Sequence, residues 1–99
     1  MVERAVYFIS DQTGVTAETL GHSLITQYGG QEFRQMTLPF IDTEDKAREA
    51  VEAIDAECDN GGPRPIVFST LVQPNLRAIV RETRGLHLDI FDEFLEPLT

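Results

Sequence analysis

Cysteine occurs once, at Cys58, lysine once, at Lys46, and tryptophan not at all. A lone cysteine excludes an internal disulfide and a cysteine-built metal cage, and leaves an ordinary reduced thiol near a helix end. Basic residues are scarce: 8 Lys and Arg stand against 17 Asp and Glu, a formal charge of −9 with a pI near 4.5. Non-specific nucleic-acid affinity comes from clustered Lys and Arg, so DNA and RNA are set aside as partners. No apolar run nears the roughly 18 residues of a membrane span. No basic start with an apolar h-region marks a secretory leader, so a cytoplasmic protein without a membrane partner is expected. Neither His22 nor His87 has a second ligand at metal spacing, and no Ser-His-Asp or Cys-His arrangement stands out.

What the 99 residues do contain suits a single α/β domain. Arg4 to Ile9 (RAVYFI) is an apolar, β-branched and aromatic run that predicts a strand covered on both faces. Ala17, Leu20, Gly21, Leu24, Ile25 and Tyr28 then recur at helical spacing, with Thr16 placed to cap the first turn and Gly29-Gly30 to stop it. EFRQMTLPF reads as a second strand ending at Pro39. DTEDKAREAVEAIDAEC is a long helix with Ala47, Ala50, Val51, Ile54 and Cys58 on one face and an acidic first turn that suits the helix dipole. Ile66 to Ser69 (IVFS) predicts a third buried strand, and QPNLRAIVRETRG a helix with Pro74 in its first turn and Leu76, Ile79, Val80 and Thr83 on one side. LHLDIF is a fourth strand candidate. Strands alternating with helices over short connections predict a three-layer α/β/α domain with a parallel sheet of about four strands. The order 2-1-3-4 is expected, because it brings the first and third loops together. FDEFLEPLT breaks off where another amphipathic helix begins, which predicts a fragment of a longer protein.

Ligands of an open parallel sheet sit outside the carboxyl ends of its strands. Three loops fall on that edge: Ser10, Asp11, Gln12, Thr13, Gly14 and Thr16 in the first, Pro39, Phe40 and Asp42 in the second, Ser69, Thr70 and Gln73 in the third. Two readings fit them. Hydroxyls and a glycine leading into a helix N-terminus make an anion cradle, with Gly14 letting the backbone approach closely. Equally, Thr13 and Thr16 only cap the helix, Asp11 only closes an Asx turn, and Ser69-Thr70 only satisfy strand-end amides. Asp11 would repel a phosphate unless a metal, cation or proton intervened, and could instead accept a proton or hold a hydroxyl. Arg77, one turn into the third helix, could reach that edge and fork onto a phosphate. It shares a face with Arg81 and Arg84, a stripe read as solvated, with a partner's acidic surface as the other reading. His22 pairs in solvent with Glu18 on this reading, and His87 sits at the far end of the sheet from the site.

FISDQTGVTAETLGHSL, TLPFIDTEDKAREAV, RPIVFSTLVQPNLRAIV and DIFDEFLEPL, in that order and spacing, resemble the N-terminal part of the phosphoenolpyruvate synthase regulatory proteins and their relatives that regulate pyruvate, phosphate dikinase. The resemblance covers nearly the whole chain, with Gln12 standing where the family pattern S-D-x-x-G-x-T-A-E carries a small residue. It implies a bifunctional serine/threonine kinase and pyrophosphorylase: ADP-dependent phosphorylation of a threonine inactivates the dikinase, and phosphate-dependent removal, releasing pyrophosphate, restores it. It also implies a C-terminal P-loop domain as the chain's own partner. No G-x-x-x-x-G-K-[ST] occurs here, and Lys46 stands in a helix with no glycine loop before it. ADP and phosphate are therefore expected for the full-length protein, no confident cofactor and no catalytic residue for this chain alone. Ser10, Asp11, Thr13, Gly14, Thr16, Glu18, Ser69, Thr70 and Arg77 are the candidate phosphate- or target-binding residues. Two rivals remain. DQTGVTAE also resembles the phosphate loop of flavodoxin-like, FMN-binding electron-transfer proteins, and a non-catalytic homodimerisation or docking module is the third reading.

Overall fold

A computed structural model describes residues 3–92. Four parallel strands, β1 (Arg4–Ile9), β2 (Phe33–Leu38), β3 (Ile66–Ser69) and β4 (Leu86–Asp89), form one sheet in the order β2-β1-β3-β4. This is the expected 2-1-3-4 arrangement. Three helices connect them: α1 (Val15–Ile25), α2 (Glu44–Cys58) and α3 (Pro74–Val80). Alternating side chains of the strands feed two cores. Ala5, Tyr7, Ile9 and Val67 pack with Ala47, Ala50, Ile54, Leu76 and Val80 of α2 and α3. Val6, Phe8, Ile66 and Phe68 pack with Ala17 and Ile25 of α1. Each fully buried side chain of this size contributes roughly 1.5–3 kcal/mol.

Local chemistry sets the helix ends. Thr43 caps α2, its hydroxyl accepting the Lys46 amide at 3.2 Å. Pro74 opens α3, where its missing N–H costs nothing. α1 departs from the sequence reading at both ends. Its N-cap is Gly14 at φ 90°, with no side-chain cap, so Thr16 lies inside the first turn instead of capping it. At the other end the helix stops at Ile25, ahead of the Gly29-Gly30 pair. Ser23 and Thr26 donate their hydroxyls to the carbonyls of Thr19 and Ser23 at 3.0 Å, and the next amides make tighter i−3 bonds that unwind the chain. Tyr28 therefore projects into solvent, 68% exposed. α3 likewise ends at Val80, short of the predicted Thr83, which instead donates its hydroxyl to Asp55 of α2 at 2.9 Å. The backbone turns helical at residues 90–92, and the rest of the expected C-terminal helix falls outside the described residues.

Candidate functional site

The first loop is built by the sheet beneath it. Ser10 continues β1, its amide bonded to the Leu38 carbonyl at 3.2 Å, and its hydroxyl accepts the Gln12 amide at 3.0 Å. The loop after β2 closes against it: the amides of Phe40 and Ile41 bond the carbonyls of Gln12 and Ser10, each at 2.9 Å. Gly14 then takes the left-handed conformation in which α1 begins, and a Cβ there would lie 2.8 Å from Thr37 Cγ2. Backbone geometry and the Thr37 methyl are by themselves enough to require a glycine here.

A cleft of about 220 Å³ lies at the carboxyl ends of the strands, lined by Ser10 to Thr16, Thr70, Val72 and Phe91. With no side chain capping Gly14, the first-turn amides of α1 remain available to an acceptor. Thr70 enters from the other side, anchored by its amide to the Ile9 carbonyl at 3.0 Å. The residue is only 5% exposed, and its hydroxyl, which makes no hydrogen bond among the described residues, reaches solvent at the cleft. Asp11 lines the same space. Val15 and Val72, 61% and 62% exposed, give the cleft an apolar rim that the sequence reading missed. An apolar residue one or two positions after the polar residues, Val15 in TGV and Val72 in TLV, was the available signal.

The structure brings together Ser10, Asp11, Thr13, Gly14, Thr16 and Thr70, and places the other candidates elsewhere. Glu18 turns toward β2, where its carboxylate accepts the Thr37 hydroxyl rather than pairing with His22. Ser69 is the last residue of β3 and 1% exposed; its hydroxyl meets His87 Nε2 at 2.6 Å. The parallel register sets His87 beside Val67, two residues before Ser69 and on the same face of the sheet, so His87 is not remote from the candidate residues. Burial pushes the His87 imidazole below its ordinary pKa, with Asp89 opposing, which favours the neutral ring. Arg77 is held by Asp89, at 3.0 Å from Nε, and by Asp92. Burial works against its charge, but the two carboxylates outweigh it and raise its pKa. The stripe read as solvated is exposed at Arg81 and Arg84 and is also ion-paired: Arg81 binds Asp92 too, and Arg84 forks onto Asp59 at 2.8 and 3.1 Å. Lys46 is occupied too, by Asp42 at 2.9 Å and by the Phe40 carbonyl. Among the described residues no group of three or more His, Cys, Asp and Glu could hold a metal ion, and no helix is long and apolar enough to cross a membrane.

A parallel sheet with helices on both faces and donors gathered at its carboxyl edge defines the class of doubly wound α/β domains. Within it, the model of the Kinase/pyrophosphorylase family matches residues 6–99, and the chain belongs to that family. It is 53% identical over 95 residues to a protein of Herminiimonas arsenicoxydans named "Putative phosphoenolpyruvate synthase regulatory protein", covering 96% of this chain and 34% of that one. Proteins of the same name from Janthinobacterium sp. (strain Marseille) and Bordetella pertussis are 52% and 51% identical, over 96% and 95% of this chain and 33% and 34% of theirs. The chain spans about a third of the length of these curated relatives.

Proposed function

We propose that residues 1–99 form the N-terminal α/β domain of a regulatory protein that switches phosphoenolpyruvate synthase or pyruvate, phosphate dikinase off and on. Phosphorylation of a target threonine from ADP and its phosphate-dependent reversal are the chemistry this assigns to the whole protein. The family membership supports this reading over the flavodoxin-like one. The P-loop is assigned to the polypeptide beyond this chain, so the chain alone is expected to transfer no phosphate; phosphothreonine formed by it on a target dikinase would refute that.

Within this scheme the cleft receives the phosphate or phosphothreonine while the remaining domain supplies the nucleotide. Positioning and electrostatic stabilisation do most of the work in phosphoryl transfer, and a second domain can contribute both through fixed donors. The uncapped amides of α1 suit an anion. The observation that carries the assignment is Thr70, a largely buried residue whose hydroxyl makes no hydrogen bond among the described residues and reaches solvent at those amides' cleft. Asp11 is assigned to a hydroxyl, accepting a hydrogen bond from the threonine before it is phosphorylated. Arg77, paired with Asp89 and Asp92, is given no direct contact in this scheme.

Amide NMR titration with inorganic phosphate, then ADP, tests the assignment. Saturable shifts confined to residues 10–18 and 70 are expected, strongly weakened in Thr70→Val. That variant should keep its stability, because it removes no intramolecular hydrogen bond. A folded chain that shows no shifts would overturn the phosphate site and leave target docking as the role of this edge.

A further inference from the structure

The two faces of the sheet are unequally covered. α2 and α3 serve one core, whereas α1 alone serves the other. Beside α1 runs an apolar groove of about 580 Å³. Leu24 and Tyr28 form its helix side, Ile66 and Phe68 its floor, and Leu86 and Leu88 its far side. Leu24 and Tyr28 stay 40% and 68% exposed, and Leu86 and Leu88 are only half-buried. Purely parallel sheets are stable when both faces are covered, and a contiguous apolar surface of this kind marks a place where something packs.

Two observations name the occupant. Ile90 continues the row of Leu86 and Leu88, lies 7% exposed in the α1-side core, and stands where the backbone turns helical. The apolar row of β4 thus extends past the strand's end on the α1 side of the sheet. The relatives, moreover, match this chain over only about a third of their own length, so two thirds of a family polypeptide has still to pack somewhere. A second copy of the chain is disfavoured by a formal charge of −9 on each. We propose that this groove seats an amphipathic helix of the same polypeptide, supplied by the part of the family's length outside residues 1–99. Its apolar stripe lies on Ile66, Phe68, Leu86 and Leu88, against Leu24 and Tyr28 of the α1 side, and its polar face completes the layer that α1 begins. The groove includes the first residues of all four strands, Arg4, Phe33, Ile66 and Leu86, so its filling does not rest on the assignment of the cleft at their carboxyl ends.

The absence of tryptophan makes Tyr28→Trp a reporter placed on the groove's rim. Its fluorescence is read in the chain alone and in the chain joined to the remainder of the Herminiimonas arsenicoxydans relative, with the Tyr28 parents subtracted. The expected result is solvent-type emission in the short chain and a blue shift with reduced acrylamide quenching in the long one. Leu24→Glu, at an exposed position that the fold tolerates, should abolish the shift and leave the far-UV circular dichroism unchanged. Identical emission at both lengths would overturn the proposal. So would a shift that survives Leu24→Glu, or one that grows with concentration in the short chain, which would assign the groove to a second copy.

Discussion

Gly21→Ala sets two physical effects against each other. In a helix interior alanine is favoured over glycine by about 1 kcal/mol, so by propensity alone the change stabilises α1. The structure reverses the sign. A Cβ on Gly21 would press well inside contact distance of Phe8 Cε1 and stand 3.0 Å from Phe68 Cδ2. Phe8 is 1% exposed and stacks on Phe68 with ring centroids 5.9 Å apart, so neither ring can turn away and α1 must lift from the sheet. Overpacking of this kind costs about 1–3 kcal/mol, and the upper part of that range applies where both neighbours are rigid. A net loss of about 1–2 kcal/mol follows, a fall in Tm of roughly 5–15 °C for a domain of this size. Urea unfolding is the assay, with a lower midpoint at unchanged m. Gly29→Ala is the control, because nothing lies within 4 Å of a Cβ there, and it should shift stability by no more than about 0.5 kcal/mol. A Gly21→Ala midpoint equal to or above that of the parent would refute the close-approach argument.

Asp89→Ala removes a 6% exposed carboxylate that holds Arg77 and accepts the amides of Phe91 and Asp92 at 3.0 and 3.3 Å. Because Arg77 keeps Asp92, a loss of about 2–4 kcal/mol is expected in urea unfolding, and a loss below about 1 kcal/mol would count against the clamp. Asp55→Ala should cost about 1–3 kcal/mol, since the Thr83 hydroxyl and the Arg84 amide both donate to Oδ1 at 2.9 Å. Arg84→Ala, in contrast, should leave the midpoint close to the parent's, its guanidinium being exposed; equal losses in the two variants would show that the ion pair dominates. The depressed pKa of His87 makes the unfolded chain bind its proton first as pH falls. Its stabilising contribution is fully present above pH 6.5 and is lost as pH drops from 6.5 toward the folded-state value. Urea midpoints measured above and below that pH should fall with acidification in the parent and much less in His87→Phe, and equal slopes would remove His87 from the account.

Strand order was legible because the β–α rhythm and right-handed crossovers leave few alternatives, and β3 could be read to the residue from four consecutive buried side chains. The first loop was legible as a polar, helix-leading segment, but its internal logic was not. A glycine required by a left-handed N-cap and by the neighbouring Thr37 methyl has the same letter as one required by a ligand. Ser69 and Thr70 looked equivalent in sequence; strand parity sends the first hydroxyl to His87 and the second to the cleft. The expected strand order already set β4 beside β3, but the register that brings His87 to Ser69 is not specified by that order. Arg77 was legible as a cation near the edge, while its partners lie 12 and 15 residues further along, on an element whose placement only the fold supplies.

The two backbone hydrogen bonds that stitch the loop after β2 to the loop after β1 have a thermodynamic consequence for whatever enters the cleft. They make the first loop part of the cooperative fold, so its ordering entropy is spent during folding and not during recognition. Binding there should then leave the amide-exchange rates of the loop nearly as slow as they were before, and differences between ligands should appear chiefly in how long each one stays.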